Sequence, residues 1–135
     1  MVEAVARERD RSPGSVRPAA RPILVVEDDE DTVAALRMLL ADEGYASITA
    51  PDVQQALDAL ARDDPGLVLL DWSLDDGSGE AVLSAARLGK GGRTPVVLMT
   101  GSSSLGRQVR AADAVLRKPF DVVDLLRVVV RYYRP

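Results

Sequence analysis

Between residues 23 and 135, apolar runs four to six residues long alternate with segments whose apolar positions recur every three or four residues. The run Ile23–Val26 is too short for a helix and rich in β-branched residues, the pattern of a strand buried on both faces. Runs at 67–70 ("LVLL", ending at Asp71) and 95–99 ("PVVLM") repeat it; "YASITA" at 45–50 and "AVLR" at Ala114–Arg117 predict two further strands. Between them, Val53, Ala56, Leu57 and Leu60 fall at i, i+3, i+4 and i+7, one face of a helix. A helix capped by Asp31 or Thr32 and reaching about Glu43 is expected before the second strand, with Gly44 ending it in a left-handed turn. Further helices are expected over 79–88, in a short stretch near 105–112, and from a cap at Asp121 to about Tyr133.

Strands alternating with helices predict an α/β fold, a doubly wound five-stranded parallel sheet with helices on both faces. In such sheets, ligands bind beyond the carboxyl ends of the strands. The residues at those positions are Glu27 and Asp28 after strand one, Asp71 after strand three, Thr100 after strand four and Lys118 after strand five. Carboxylates about 4 Å apart repel by roughly 4 kcal/mol at an effective dielectric near 20. A hard divalent cation offsets that repulsion, and Mg²⁺ favours a few carboxylates together with waters and a phosphoryl oxygen. A carboxylate, a metal, an ammonium and a hydroxyl together suit the carrying of a phosphoryl group.

Composition narrows the chemistry. The 135 residues contain neither cysteine nor histidine. Thiolate and imidazole nucleophiles, disulfides, a Ser-His-Asp triad and N/S metal sites are therefore excluded. Any phosphohistidine must belong to another protein. Residues 1–22 carry five arginines against three acids and three prolines, and read as a flexible arm or linker preceding a folded unit at 23–135. That unit holds 12 basic and 18 acidic side chains, which argues against nucleic acid as a partner. No apolar run approaches the roughly 18 residues of a membrane span, and the charged opening lacks the pattern of a secretory signal. No membrane association and a cytoplasmic location are expected.

The stretches "ILVVEDDED", "PGLVLLDWSLDDGSG", "PVVLMTG" and "LRKPF" occur in the order, and up to the fourth strand at the spacing, of one family. Over about residues 23–135 the chain resembles the receiver domains of two-component response regulators. That resemblance implies a flavodoxin-like, chemotaxis-regulator-like sheet of order 2-1-3-4-5. It makes Asp71 the phosphoacceptor, taking the group from a histidine kinase or histidine phosphotransfer protein. Asp28 and Asp71 would ligate Mg²⁺ directly, Glu27 mainly through water, and Ser73 through its main-chain carbonyl. Lys118 would pair with the phosphoryl oxygens, Thr100 would turn its hydroxyl onto them, and Pro119 would follow a cis peptide bond. The role is a signalling switch rather than an enzyme, beyond self-phosphorylation and self-dephosphorylation. A stand-alone regulator and a receiver fragment of a hybrid sensor kinase both fit.

Three departures from the family pattern bear on the switch. Val115 replaces the usual aromatic three residues before the lysine, the 100–118 segment is short enough to predict a truncated or irregular fourth helix, and Asp75 replaces a common proline. Val115 and the short helix favour an alternative, a non-phosphorylated interaction module. A phosphohydrolase is disfavoured because Ser73 stands where such enzymes place a second acid. Asp29, Glu30 and Asp31 read as a solvated helix start, and Trp72 as a partly exposed packing residue. In "DVVDLLRVVVRYY" the apolar positions exceed one buried stripe, so the last helix is expected either to pack deeply or to offer a surface for self-association or a downstream protein.

Overall fold

The computed structural model describes residues 20–73, 79–88, 93–101 and 111–135. Five parallel strands, β1 Ile23–Val26, β2 Ser47–Ala50, β3 Leu67–Asp71, β4 Val96–Thr100 and β5 Ala114–Arg117, form one sheet of order β2-β1-β3-β4-β5. Four helices are seen among the described residues: α1 Glu30–Asp42, α2 Val53–Asp63, α3 Glu80–Arg87 and α4 Val122–Tyr132. The doubly wound fold is the one expected. The helix expected near 105–112 falls mostly on 102–110, outside the described residues, as do Asp75 and residues 1–19 of the arm.

The alternation of strand side chains divides the core in two. Leu24, Val26, Val68, Leu70 and Leu98 point to one face, where α2 and α3 cover them with Ala56, Ala59, Val82 and Ala86. Ile23, Val25, Leu69, Val97 and Met99 point to the other, beneath Leu36 and Leu40 of α1 and Leu125 and Val129 of α4. Both faces of β1, β3 and β4 are covered, which is why these strands read as unbroken apolar runs.

Two boundaries differ from expectation. α1 begins at Glu30 because Asp29 is its cap: the Asp29 carboxylate accepts from the Thr32 amide at 3.0 Å and from the Thr32 hydroxyl at 2.5 Å. Asp31 and Thr32 therefore lie inside the first turn. β2 begins at Ser47, since Tyr45 turns inward and packs edge-on against Tyr133, with ring centroids 5.0 Å apart. Gly44, at φ 87°, makes the left-handed turn that ends α1. Asp121 caps α4 in a capping box with Asp124.

The amino edge of the sheet is closed by the chain's own segments. The Gly66 amide donates to Pro22 O at 2.9 Å, and the Arg134 amide donates to Gly66 O at 3.0 Å. The Tyr133 hydroxyl donates to the Arg21 carbonyl at 2.5 Å. The carboxyl edge lies at the opposite end of the strands.

Candidate functional site: an acidic pocket at the carboxyl edge

The strand register sets the site. β1 pairs Val26 with Leu70, β3 pairs Asp71 with Met99, and β4 pairs Thr100 with Arg117. Glu27, Asp71, Thr100 and Lys118 are thus carried to one edge by neighbouring strands. Glu27, Asp71 and Thr100 are each 2% exposed, whereas Asp28 faces solvent. Carboxylate oxygens of Glu27, Asp28 and Asp71 all lie within 4.8 Å of one another, so the three can share one cation.

Lys118 closes the pocket from β5. Its Nζ lies 3.0 Å from Glu27 Oε1 and 3.5 Å from Asp71 Oδ1. The Lys118 amide donates to Thr100 O at 2.7 Å, continuing the β4–β5 ladder, and the Lys118–Pro119 peptide bond is cis. Among the described residues, the one ammonium ion-paired here contacts two of the three carboxylates, whose formal charge exceeds its own by two. A divalent cation matches that deficit in charge and in preference for oxygen.

Asp71 Oδ1 accepts from the Ser73 amide at 3.0 Å and from the Ser73 hydroxyl at 2.8 Å. This local turn orients the carboxylate, and the Ser73 hydroxyl contact was not anticipated from the sequence. The signal for it was a serine two residues after an aspartate, a combination that favours such side-chain-to-backbone turns. The Trp72 amide donates to Met99 O, and the half-buried indole packs on the core face covered by α2 and α3.

The two buried acids are held differently. Burial, then the neighbouring Asp71 carboxyl, pushes Glu27 above the usual carboxylate range despite the bond from Lys118. Burial alone would also raise Asp71. The Ser73 amide, the hydrogen bond shared with Glu27, the Ser73 hydroxyl and the Lys118 charge together hold it below its ordinary value. For Lys118, burial favours the neutral amine, but the bond to Glu27 and the charges of both acids keep its pKa above the ordinary lysine value. Asp71 is accordingly the carboxylate of the pair whose ionised form is the more favoured, and the Ser73 contacts orient it.

Every site residue expected from the sequence is thus placed at this edge: Glu27, Asp28, Asp71, Ser73, Thr100, Lys118 and Pro119. Of the acids at 29–31, Asp29 is a helix cap, while Glu30 and Asp31 occupy the first turn of α1. A cleft of about 260 Å³ opens on Glu27 and Asp28 between α1 and the end of β2, with Arg37 on its wall. No described helix is long and apolar enough to cross a membrane.

Comparison with known proteins agrees with this geometry. The sequence profile described as "Response regulator receiver domain" matches residues 23–130. An uncharacterised 14.6 kDa protein from Leptolyngbya boryana is 34% identical over 119 residues, covering 84% of this chain and 91% of that protein. The cell cycle transcriptional regulator CtrA of Caulobacter vibrioides is 32% identical over 116 residues, covering 81% of this chain but only 50% of CtrA. Among solved structures, the receiver domain of a sensor histidine kinase from Pseudomonas aeruginosa superposes with a TM-score of 0.75 at 26% identity. The match covers 84% of this chain and 98% of that one, and that structure carries a magnesium ion in its active-site cleft.

Proposed function

Since the chain belongs to the response regulator receiver family of two-component signalling, we propose that it is a phosphoacceptor switch loaded on Asp71. The single observation that carries this reading is the convergence of three carboxylates and Lys118 at the sheet's carboxyl edge, with Asp71 oriented by Ser73. The donor is a phosphohistidine on a partner kinase or phosphotransfer protein. An oxygen of Asp71 attacks phosphorus, the P–N bond breaks, and its electron pair returns to the partner's imidazole.

The remaining roles follow from position. Glu27, Asp28, Asp71 and the Ser73 carbonyl would hold Mg²⁺, whose chemistry there is to neutralise negative charge around the transferred group. Lys118 exchanges its bond to the acids for the phosphoryl oxygens, and Thr100 offers its hydroxyl from the neighbouring strand end. Once Asp71 carries the phosphoryl group, its negative charge moves from the carboxylate outward onto the phosphoryl oxygens and grows, so Lys118 follows it there, which biases the β4–β5 edge toward a second arrangement. The half-buried Val115 packs on the α2–α3 face, so the readout runs through contacts other than a swinging aromatic at that position. Residues 23–135 form the receiver unit in this reading, and 1–22 an arm or linker. The location is cytoplasmic, with downstream protein contacts as the output.

The test uses the single tryptophan. Mg²⁺ added to the full chain should change Trp72 fluorescence in a saturable manner, and a small phosphodonor should then produce a second change. In Asp71→Asn the second change should be absent. A metal response with no effect of phosphodonor in the wild-type chain would instead support a receiver-like interaction module.

A further inference from the structure

Donors from two described residues converge on one oxygen of Asp71. Ser73 reaches Oδ1 twice, through its amide at 3.0 Å and its hydroxyl at 2.8 Å, and Lys118 Nζ approaches the same atom at 3.5 Å. The amide contact belongs to the main chain and is open to any residue but proline. The hydroxyl contact needs serine or threonine. The backbone that aims it is fixed by its neighbour. The Trp72 amide donates to Met99 O at 2.9 Å, and the Trp72 ring packs so closely on Gly79 that an added Cβ there would lie 2.9 Å from it. Oδ1 is therefore the oxygen held by these donors, and Oδ2 is the one they leave for phosphorus.

The hydroxyl bond is not equally strong in the two forms of Asp71. A donor binds an ionised carboxylate more tightly than the carbonyl oxygen of a mixed anhydride, which carries much less charge. The Ser73 hydroxyl thus favours the free carboxylate over the acyl phosphate. In hydrolysis a water oxygen bonds to phosphorus, the bond from phosphorus to Oδ2 breaks, and its electron pair returns to the carboxylate. Both protons of the water go to the inorganic phosphate released. Phosphoryl transfer passes through a loose transition state, in which the bond to the departing group is mostly broken. Charge is then already back on the carboxylate, and the hydroxyl bond has regained its strength. Loading reaches its own transition state with the bond to Asp71 barely formed, so the carboxylate is still charged there. The contact therefore lowers the barrier to unloading more than it alters the barrier to loading.

We propose that the Ser73 side chain is a positioning residue that sets the lifetime of the phosphoryl group on Asp71, its hydroxyl speeding hydrolysis. The proposal rests on the phosphoacceptor reading and assigns that site its rate of unloading. The full chain is loaded in Mg²⁺ with a small phosphodonor, the donor is removed, and the loss of phosphoryl mass is followed with time. Ser73→Ala should lose it about fivefold more slowly, a change of roughly 1 kcal/mol for one hydrogen bond. Its loading rate should move by a smaller factor. Ser73 is exposed, so removing its hydroxyl opens no buried cavity, and matching melting curves would show that the variant folds.

Two further measurements separate the hydroxyl from a general effect on the fold. Ser73→Thr keeps the donor and should decay close to the wild-type rate. After unfolding in urea, the acyl phosphates of wild type and Ser73→Ala should decay alike, because the contact exists only in the fold. A Ser73→Ala chain that unloads as fast as wild type, or faster, overturns the proposal. So does a threonine variant that decays like the alanine one, or loading slowed as much as unloading. A wild-type chain that takes up no phosphoryl group at all overturns the phosphoacceptor reading and this proposal with it, a result distinct from any difference between the variants.

Discussion

At the level of single residues the site is an imbalance of charge: Glu27 and Asp71 are buried side by side and share one ammonium. Glu27 bears the strain, because its folded pKa is raised above the ordinary 4.5 by burial and by Asp71. An acid whose pKa rises on folding destabilises the folded state when ionised, and that penalty fades as pH falls through the raised value. Glu27→Gln should therefore raise the melting temperature of the metal-free protein near neutral pH, with the gain shrinking toward pH 4.5. Saturating Mg²⁺ should reverse the order, since the wild type gains a ligand the variant lacks. Calorimetry of both proteins with and without the metal would show it, and a variant less stable in both conditions would contradict the assignment. Lys118→Met should tighten Mg²⁺ binding, since it removes a competing cation. The same change should slow phosphoryl uptake on the order of 100-fold, the usual loss when one preorganised electrostatic donor is removed.

Among the elements, the caps and close approaches carry the testable energetics. Asp121 accepts from the Asp124 amide at 2.8 Å, so Asp121→Ala should lower stability in urea by about 1 kcal/mol. At Gly79 an added Cβ would lie 2.9 Å from the Trp72 ring, so Gly79→Ala should displace the indole and shift its emission before any ligand is added. The elements were largely legible in the sequence because β1, β3 and β4 are buried on both faces, and burial is what writes unbroken apolar runs. The strand-end acids and Lys118 were legible for the same reason, since the position of each follows from the end of a strand. The start of α1 was misplaced because five consecutive acids offer several equivalent caps, and only the Thr32 hydroxyl selects Asp29. The early start expected for β2 failed because Tyr45 is apolar enough to continue the run, yet finds its partner in Tyr133, far along the chain. The Ser73 hydroxyl bond had a local signal in the Asp71–Ser73 spacing that went unread, whereas the direct Glu27–Lys118 pair, 91 residues apart in the chain, depends on how side chains turn within the pocket.

For the molecule as a whole, the two edges of the sheet have different tasks. At the amino edge, Pro22 and Arg134 are tied through Gly66, where an added Cβ would clash with Arg134 O, and Tyr133 is tied directly to Arg21. At the carboxyl edge, two buried carboxylates, one exposed carboxylate and one lysine meet, with more negative than positive charge among the described side chains. A rigid base and a charge-poised rim suit a unit that must keep its fold while its contacts change. The most direct test of that view is a count of phosphoryl groups by intact mass after incubation with a small phosphodonor. The wild-type chain should gain the mass of one phosphoryl group in Mg²⁺ and none when the metal is chelated, and Asp71→Asn should gain none in either condition. Equal uptake by Asp71→Asn, or uptake indifferent to Mg²⁺, would contradict the account.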